Sequence, residues 1–261
     1  MDWQDEGVVL SVRHHGESAR IVTLLTEAHG RHAGLLRGSG TGRGGALQPG
    51  QIVRADWRAR LSEQLGYYTL ESLGHPAALM LDDPARLAAL RAACALIDAA
   101  VSEREPHPNL FAATRSLFSL MAEMEDAGDW GALYVRWEIG LLAEMGYGID
   151  LQSCAATGAT VDLTHVSPRT GRAVSAGAAA PYAERLLVLP GFLVPGRGAT
   201  DSVPVDSLQP DSAIRAVQDG LALTGHFLEN RLFAQLHAPV PQARARLLEV
   251  VRGQAQTLAQ K

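Results

Sequence analysis

The sequence predicts an α+β chain: an N-terminal barrel of five short strands, an all-α domain after it, and a small irregular module inserted among the helices. Three observations carry this. Residues 7–74 are a succession of short apolar and β-branched runs separated by turn residues, with no helix between them. At Asp82-Asp-Pro84 the hydrophobic period changes from two to that of a helix. Residues 151–210 then lose periodicity and become rich in Gly, Ala, Ser, Thr and Pro.

The strands come first. Gly7-Val-Val-Leu-Ser-Val-Arg13 is apolar and β-branched, and Ala19–Thr26 follows it. Glu27-Ala-His-Gly30 is a turn in which Gly30 is free to take positive φ, and His32–Arg37 returns as the second arm of a hairpin. From Gln51 to Leu61 the alternation has a period of two. Val53, Ala55, Trp57, Ala59 and Leu61 face one way, and Arg54, Asp56, Arg58 and Arg60 the other. Gly66–Gly74 closes the set, with Tyr67 and Tyr68 on opposite faces. Five strands in so short a stretch fit a small closed barrel such as an OB-fold, with an SH3-like barrel as the competing architecture. The glycine-rich stretch Arg37–Gly50 carries Arg37 and Arg43, and its backbone is able to approach a ligand closely.

Helices follow. Asp83 then Pro84 is a capping residue followed by a first-turn proline, and Leu87, Leu90, Cys94, Ile97 and Val101 repeat at helical spacing. A second helix is expected over Pro108–Glu125, with Leu110, Thr114, Leu117, Leu120 and Met121 inward, and a third over Trp130–Met145. Ala176–Ala180 is featureless, and Tyr182–Leu189 reads as a short helix. Helices resume over Ala213–Leu236 and Pro241–Ala259. The expected domains are therefore residues 1–80, residues 81–150 joined by 211–261, and an inserted segment 151–210.

The chain of 261 residues is 47 % hydrophobic and 20 % charged, which fits a packed core and excludes wholesale disorder. Two cysteines exclude a disulfide scaffold and a four-cysteine zinc site. There is no apolar run long enough to span a bilayer and no basic, secretion-type start, so a soluble cytoplasmic protein is expected. Net charge is -5, from 23 basic and 28 acidic side chains. Residues 10–60 run against that balance. They hold Arg13, Arg20, Arg31, Arg37, Arg43, Arg54, Arg58 and Arg60 against Glu17, Glu27 and Asp56. A basic region in an acidic chain points to a localised polyanion site.

Catalytic and cofactor chemistry finds no support. Gly40-Thr-Gly-Arg-Gly-Gly45 satisfies G-x-G-x-x-G, but a strand follows it, whereas the dinucleotide fingerprint must open a helix. His29 and His32 have metal-like spacing across a turn, without a third ligand at a companion spacing. No G-x-S-x-G elbow occurs, and the paired carboxylates sit at helix ends. Cys154-x-x-Thr157 and Ser175-x-x-Ala178 have the spacing of a zinc module built on two C-x-x-C pairs with three of its four ligands replaced. One thiolate, even with His165 added, is too few for structural zinc.

Gly7–Thr26 with its Gly16-Glu-Ser-Ala-Arg20 turn, the Glu27-Ala-His-Gly30 hairpin, Leu47-Gln-Pro-Gly50, Cys154-Ala-Ala-Thr-Gly158 and Val166–Ser175 together resemble the RecO family of bacterial DNA repair proteins. The likeness runs in order along essentially the whole chain. It implies an N-terminal OB-fold, a helical domain and a degenerate zinc-finger-like insertion. It also implies a non-enzymatic recombination mediator of the RecFOR pathway, which responds to DNA damage. Such proteins bind single- and double-stranded DNA, anneal complementary strands, and act with RecR, and often RecF, to load RecA onto DNA coated with single-strand-binding protein (SSB). They also dock the acidic, apolar C-terminal tail of SSB, and Arg115 and Arg136, on otherwise apolar helices, are the candidate partners of its carboxylate. Two departures stand out: the basic cluster after the second hairpin is thinned to Arg37 and Arg43, and the zinc ligands are lost, so no metal or other cofactor is carried over. The eight arginines of residues 10–60 are the candidate DNA-binding set. The alternative is a non-catalytic OB-fold scaffold that binds a protein partner instead of DNA.

Overall fold

Strand β1 (Asp2–His15) is long enough to serve two neighbours. Its first half pairs with β4 (Ile52–Arg58) and its second half with β2 (Ala19–Thr26). A bulge between Val9 and Ser11 bends it where it passes from one to the other. Strand β3 (Gly30–Arg37) runs antiparallel to β2 and parallel to β5 (Tyr67–Gly74), which returns antiparallel to β4. The order β1-β2-β3-β5-β4 closes on itself. This is the expected five-stranded OB-fold barrel, closed by a short parallel seam of Leu35 with Tyr67 and Leu36 with Tyr68. The computed structural model describes residues 1–37, 46–61, 63–124, 126–195 and 210–258.

The alternation read from the sequence sorts the barrel's two faces. Val9, Val22, Leu24, Leu36, Leu47, Val53, Ala55, Trp57, Tyr68 and Leu70 form the interior. Trp57 points inward, as its parity predicts, and its Nε1 donates to the Leu65 carbonyl at 3.0 Å. Gly66 takes a φ of 64°, and a Cβ there would fall 2.4 Å from that nitrogen, so only glycine fits the turn into β5. Leu61 departs from the expected pattern. It is exposed because β4 ends at Arg58, so the alternation has no ladder to hold it beyond that point.

Two compact units divide the chain. Residues 1–123 and 241–247 make the first. In it α1 (Pro84–Ala100) and α2 (Pro108–Glu123) lie against β1 and β2. Asp83 caps α1 as expected, accepting from the backbone N–H groups of Ala85 and Arg86 at 2.9 and 3.2 Å. Leu110, Thr114, Leu117 and Met121 of α2 are buried as expected, but Leu120 is 39 % exposed, because it lies off the face that meets the barrel.

Residues 124–240 and 248–261 make the second unit. Helix α3 (Ala127–Glu144) starts earlier than expected, because Asp126 caps it by accepting from Gly128 and Asp129. It packs on α5 (Pro210–Phe227), where the Thr224 hydroxyl donates to buried Glu138. The inserted segment has more structure than its composition suggests. Strands β6 (Leu163–Val166), β7 (Ala173–Ser175) and β8 (Leu187–Val188) form a small sheet in the order β7-β6-β8. Ala176–Ala179, expected to be featureless, forms the short helix α4. The helix expected over Tyr182–Leu189 is instead a 3-10 turn at Ala180–Arg185 followed by β8, since Leu187 and Val188 find partners in Val166 and His165. A π-helical turn, Leu228–Phe233, extends α5, and α6 (Gln242–Leu258) ends the described chain.

Candidate nucleic-acid interface

Helices α1 and α2 cover the outer face of the second half of β2, where Thr23 and Leu25 are buried. On the outward side of the remaining strands, Arg37 at the end of β3, Arg58 of β4 and Tyr67 of β5 are exposed. The ladder registers define one row across this side: Arg13 opposite Ile21, Ile21 opposite Leu35, Leu35 opposite Tyr67, and Tyr67 opposite Arg58. Residues directly opposite share a face, so this row has exposed arginines at both ends and Ile21, Leu35 and Tyr67 between them. Arg37, two residues beyond Leu35, leans over Tyr67. Its guanidinium carbon lies 4.5 Å from the ring centroid, and Nη2 donates to the phenol oxygen at 3.0 Å. Tyr67 is exposed and Tyr68 buried, in keeping with their opposite parity.

The eight arginines do not form one surface. Arg13, Arg58 and Arg60 are exposed and make no ion pair among the described residues. Arg20 is half-buried at the start of β2, opposite His14 and Leu36. Arg54 is paired with Glu71 at 3.0 Å, cross-strand on the outer face. Asp56, next on that face, accepts from Gln4 at 3.0 Å. Arg31 is held inside the first unit. Its Nε donates to the Val101 carbonyl at 2.7 Å and its Nη1 to Asp98 at 3.3 Å. Arg43 and the Gly40–Gly45 motif lie outside the described residues. Sequence reading passed over one side chain here. Arg104 lies far from the strands in sequence, yet its Nη2 donates to the Gln64 carbonyl at 3.1 Å, in the turn that leads to Tyr67.

Inside the barrel mouth an aromatic cluster forms. Trp3 stacks on His29 at 4.2 Å and on Trp57 at 5.6 Å. His29 Nδ1 meets Asp5 at 2.9 Å, and His32 Nδ1 meets the Tyr68 hydroxyl at 2.9 Å. Burial, assisted by the positive charge of Arg104, pushes the His32 imidazole down to about 4, so it is neutral at pH 7. No group of three or more His, Cys, Asp or Glu able to hold a metal occurs among the described residues.

Of the two arginines assigned to the SSB tail, Arg115 lines an open groove of about 530 Å³ with Phe111, Ala112, Ser116, Ser119 and Leu120, and Glu27 stands at its rim. Its guanidinium is ion-paired with Glu6. Arg136, in the second unit, donates to the Phe192 carbonyl at 2.7 Å and lies over that ring. In the inserted segment the structure brings Ser175 and Thr157 to Cys154. The Ser175 backbone N–H and hydroxyl donate to the buried Cys154 sulfur at 3.3 and 3.4 Å. The hydroxyls of Ser175 and Thr157, then the Ser175 N–H, favour the thiolate and bring Cys154 down to about 6. Among the described residues no helix is long and apolar enough to cross a membrane.

Residues 1–74 match the family model described as "Recombination protein O N terminal", and residues 81–239 the model described as "Recombination protein O C terminal". Three curated relatives carry the name "DNA repair protein RecO". That of Rhodospirillum centenum is 54 % identical over 256 residues, covering 97 % of this chain and 95 % of the relative. That of Rhodospirillum rubrum is 45 % identical over 258 residues, 97 % of each chain. That of Caulobacter vibrioides is 46 % identical over 250 residues, 95 % of this chain and 97 % of the relative.

Proposed function

Because the chain belongs to the RecO family, and so to DNA repair, we propose that it is a non-enzymatic recombination mediator whose barrel, residues 1–80, binds single- and double-stranded DNA through the phosphates. It brings complementary strands together. With RecR, and with RecF where that protein is used, it loads RecA onto SSB-coated DNA, working at the nucleoid. The observation that carries this reading is the outer row of the barrel, with exposed, unpaired arginines in an otherwise acidic chain. Annealing makes and breaks no covalent bond. It needs screening of phosphate repulsion and removal of SSB, and arginines on strands supply the first by releasing counterions from the backbone. Arg13, Arg37, Arg58 and Arg60 are the contacts we assign to DNA, with Arg20 at the edge and Arg43 on the adjoining glycine-rich stretch. The Arg115 groove is the docking place we assign to the SSB tail, since apolar walls beside a guanidinium suit a chain end that is both apolar and carboxylate-bearing. The tail must displace Glu6 to reach it.

The test is annealing of complementary oligonucleotides coated with SSB. Addition of the protein should accelerate duplex formation, and high salt should abolish the effect. If there is no acceleration with RecR present, and affinity for a protein partner ignores salt, the scaffold reading replaces this one.

A further inference from the structure

Tyr67 is an aromatic side chain left 46 % exposed next to Arg58, in a row that has an arginine at each end. An isolated exposed aromatic needs no explanation. This one differs in what surrounds it. Arg58 stands directly opposite in the β4–β5 ladder, with Cβ atoms about 5 Å apart as in any such pair. Arg37 approaches from β3 and holds the phenol oxygen. Half-buried Leu35 lies opposite on the β3 side. The backbone beneath is constrained, because Gly66 is wedged against Trp57 and Tyr68 is locked inside the barrel. The ring is therefore presented on a rigid strand, with Arg58 beside it and the Arg37 guanidinium laid over one face at 4.5 Å, so that a base stacks on the other face or takes the place of Arg37 as that side chain turns to a phosphate.

A phosphate-only site has no use for a ring, and an apolar docking site has no use for two flanking arginines. A single-stranded nucleotide uses both: its base has a π-face to stack, and its phosphates lie to each side. Resting on the DNA-binding reading above, we propose that Tyr67 is a base-stacking platform for single-stranded nucleic acid, with Arg37 and Arg58 holding the neighbouring phosphates. Duplex DNA, whose bases are already stacked, meets the arginines but not the ring. The platform gives the protein a preference for the single strands it must pair.

The experiment compares a fluorescent thymidine oligomer with an abasic sugar-phosphate oligomer of equal length and charge, by anisotropy at one low ionic strength. Wild-type protein should bind the thymidine oligomer more tightly. Tyr67→Ala should weaken that binding by about 5- to 150-fold, the range of one stacked base, and leave the abasic affinity unchanged. Tyr67→Phe, which keeps the ring and loses only the bond to Arg37, should stay close to wild type. Equal losses on both oligomers, or none on either, overturn the platform. Equal, salt-dependent binding of both oligomers by the wild type also overturns it while leaving charge-based DNA binding intact. Failure of the wild type to bind either one overturns the DNA-binding reading itself.

Discussion

Replacing Arg58 and Arg60 by alanine isolates the part of DNA binding that comes from charge. Each phosphate neutralised by an arginine contributes about 0.7 to the slope of log affinity against log salt for a single strand. Arg58 and Arg60 are exposed and make no ion pair among the described residues, so each is available for one phosphate. The double variant should lower the slope by about 1.4, which makes a rise from about 50 to about 200 mM salt cost roughly sevenfold less affinity than in the wild type. Arg54 is the internal comparison. It sits 3.0 Å from Glu71, so a phosphate gains little from it, and Arg54→Ala should barely move the slope. Glu71→Gln should do the opposite, releasing Arg54 and steepening the slope by about 0.7. All these side chains are exposed, so unfolding free energies should stay within about 0.5 kcal/mol of wild type. The assay is anisotropy of a labelled oligonucleotide across a salt series. An unchanged slope in the double variant, or a loss in Arg54→Ala equal to that of Arg58→Ala, refutes the assignment of this face.

Two further outcomes are expected. His32 is neutral when folded, at about 4, against about 6.5 when unfolded, so the unfolded chain takes up a proton in that window and the folded chain does not. The stability from this site is complete above about pH 6.5 and falls as pH drops towards 4, by about 1 to 2 kcal/mol once water at the barrel mouth is allowed for. His32→Gln, which can still meet the Tyr68 hydroxyl, should show a correspondingly shallower acid loss in urea unfolding at pH 7 and pH 4.5. Parallel losses would count against a buried neutral imidazole. Separately, a variant carrying Thr157→Cys, Ser175→Cys and Ala178→Cys should bind stoichiometric zinc by elemental analysis, with the wild type metal-free. A metal-free triple variant would show that the Cys154 turn and β7 do not present ligands tetrahedrally.

Much of the barrel was legible because its signals are local. The period-two run over residues 51–58 put Trp57 inside and Arg54, Asp56 and Arg58 outside, and the structure agrees. Asp83-Pro84 announced α1, because a cap and a first-turn proline act within a few residues of one another. The failures involve partners distant in sequence. Leu187 and Val188 form a strand only because His165 and Val166 lie beside them. Leu120 has an inward-looking spacing, yet the face of α2 that the barrel buries runs through Leu110, Thr114, Leu117 and Met121 and leaves it outside. Among the candidate DNA contacts, nothing near Arg31 foretells that Asp98 and the Val101 carbonyl will hold its guanidinium. Likewise, Glu71 reaches Arg54 only through the β4–β5 register.

Those pairings bear directly on where a strand of DNA lies. The charge of residues 10–60 treats eight arginines as equal, but on the outer face of β4 and β5 they alternate with acids. Towards the Ile52 end Glu71 neutralises Arg54, and half-buried Asp56, between Arg54 and Arg58 on this face, accepts from the neutral Gln4 amide. Carboxylates there repel phosphate, since like charges at these distances are unfavourable even in water. Towards the Arg58 end the outward residues are Arg58, Arg60, Arg37 and the Tyr67 ring. A polyanion crossing this face is therefore driven towards the Arg37–Tyr67–Arg58 end and away from the Arg54–Asp56 end. The described arginines proposed to meet it, Arg13, Arg37, Arg58 and Arg60, sit on strands or just beyond them and not on a helix. That geometry favours grip over sequence readout, which suits the annealing role proposed above.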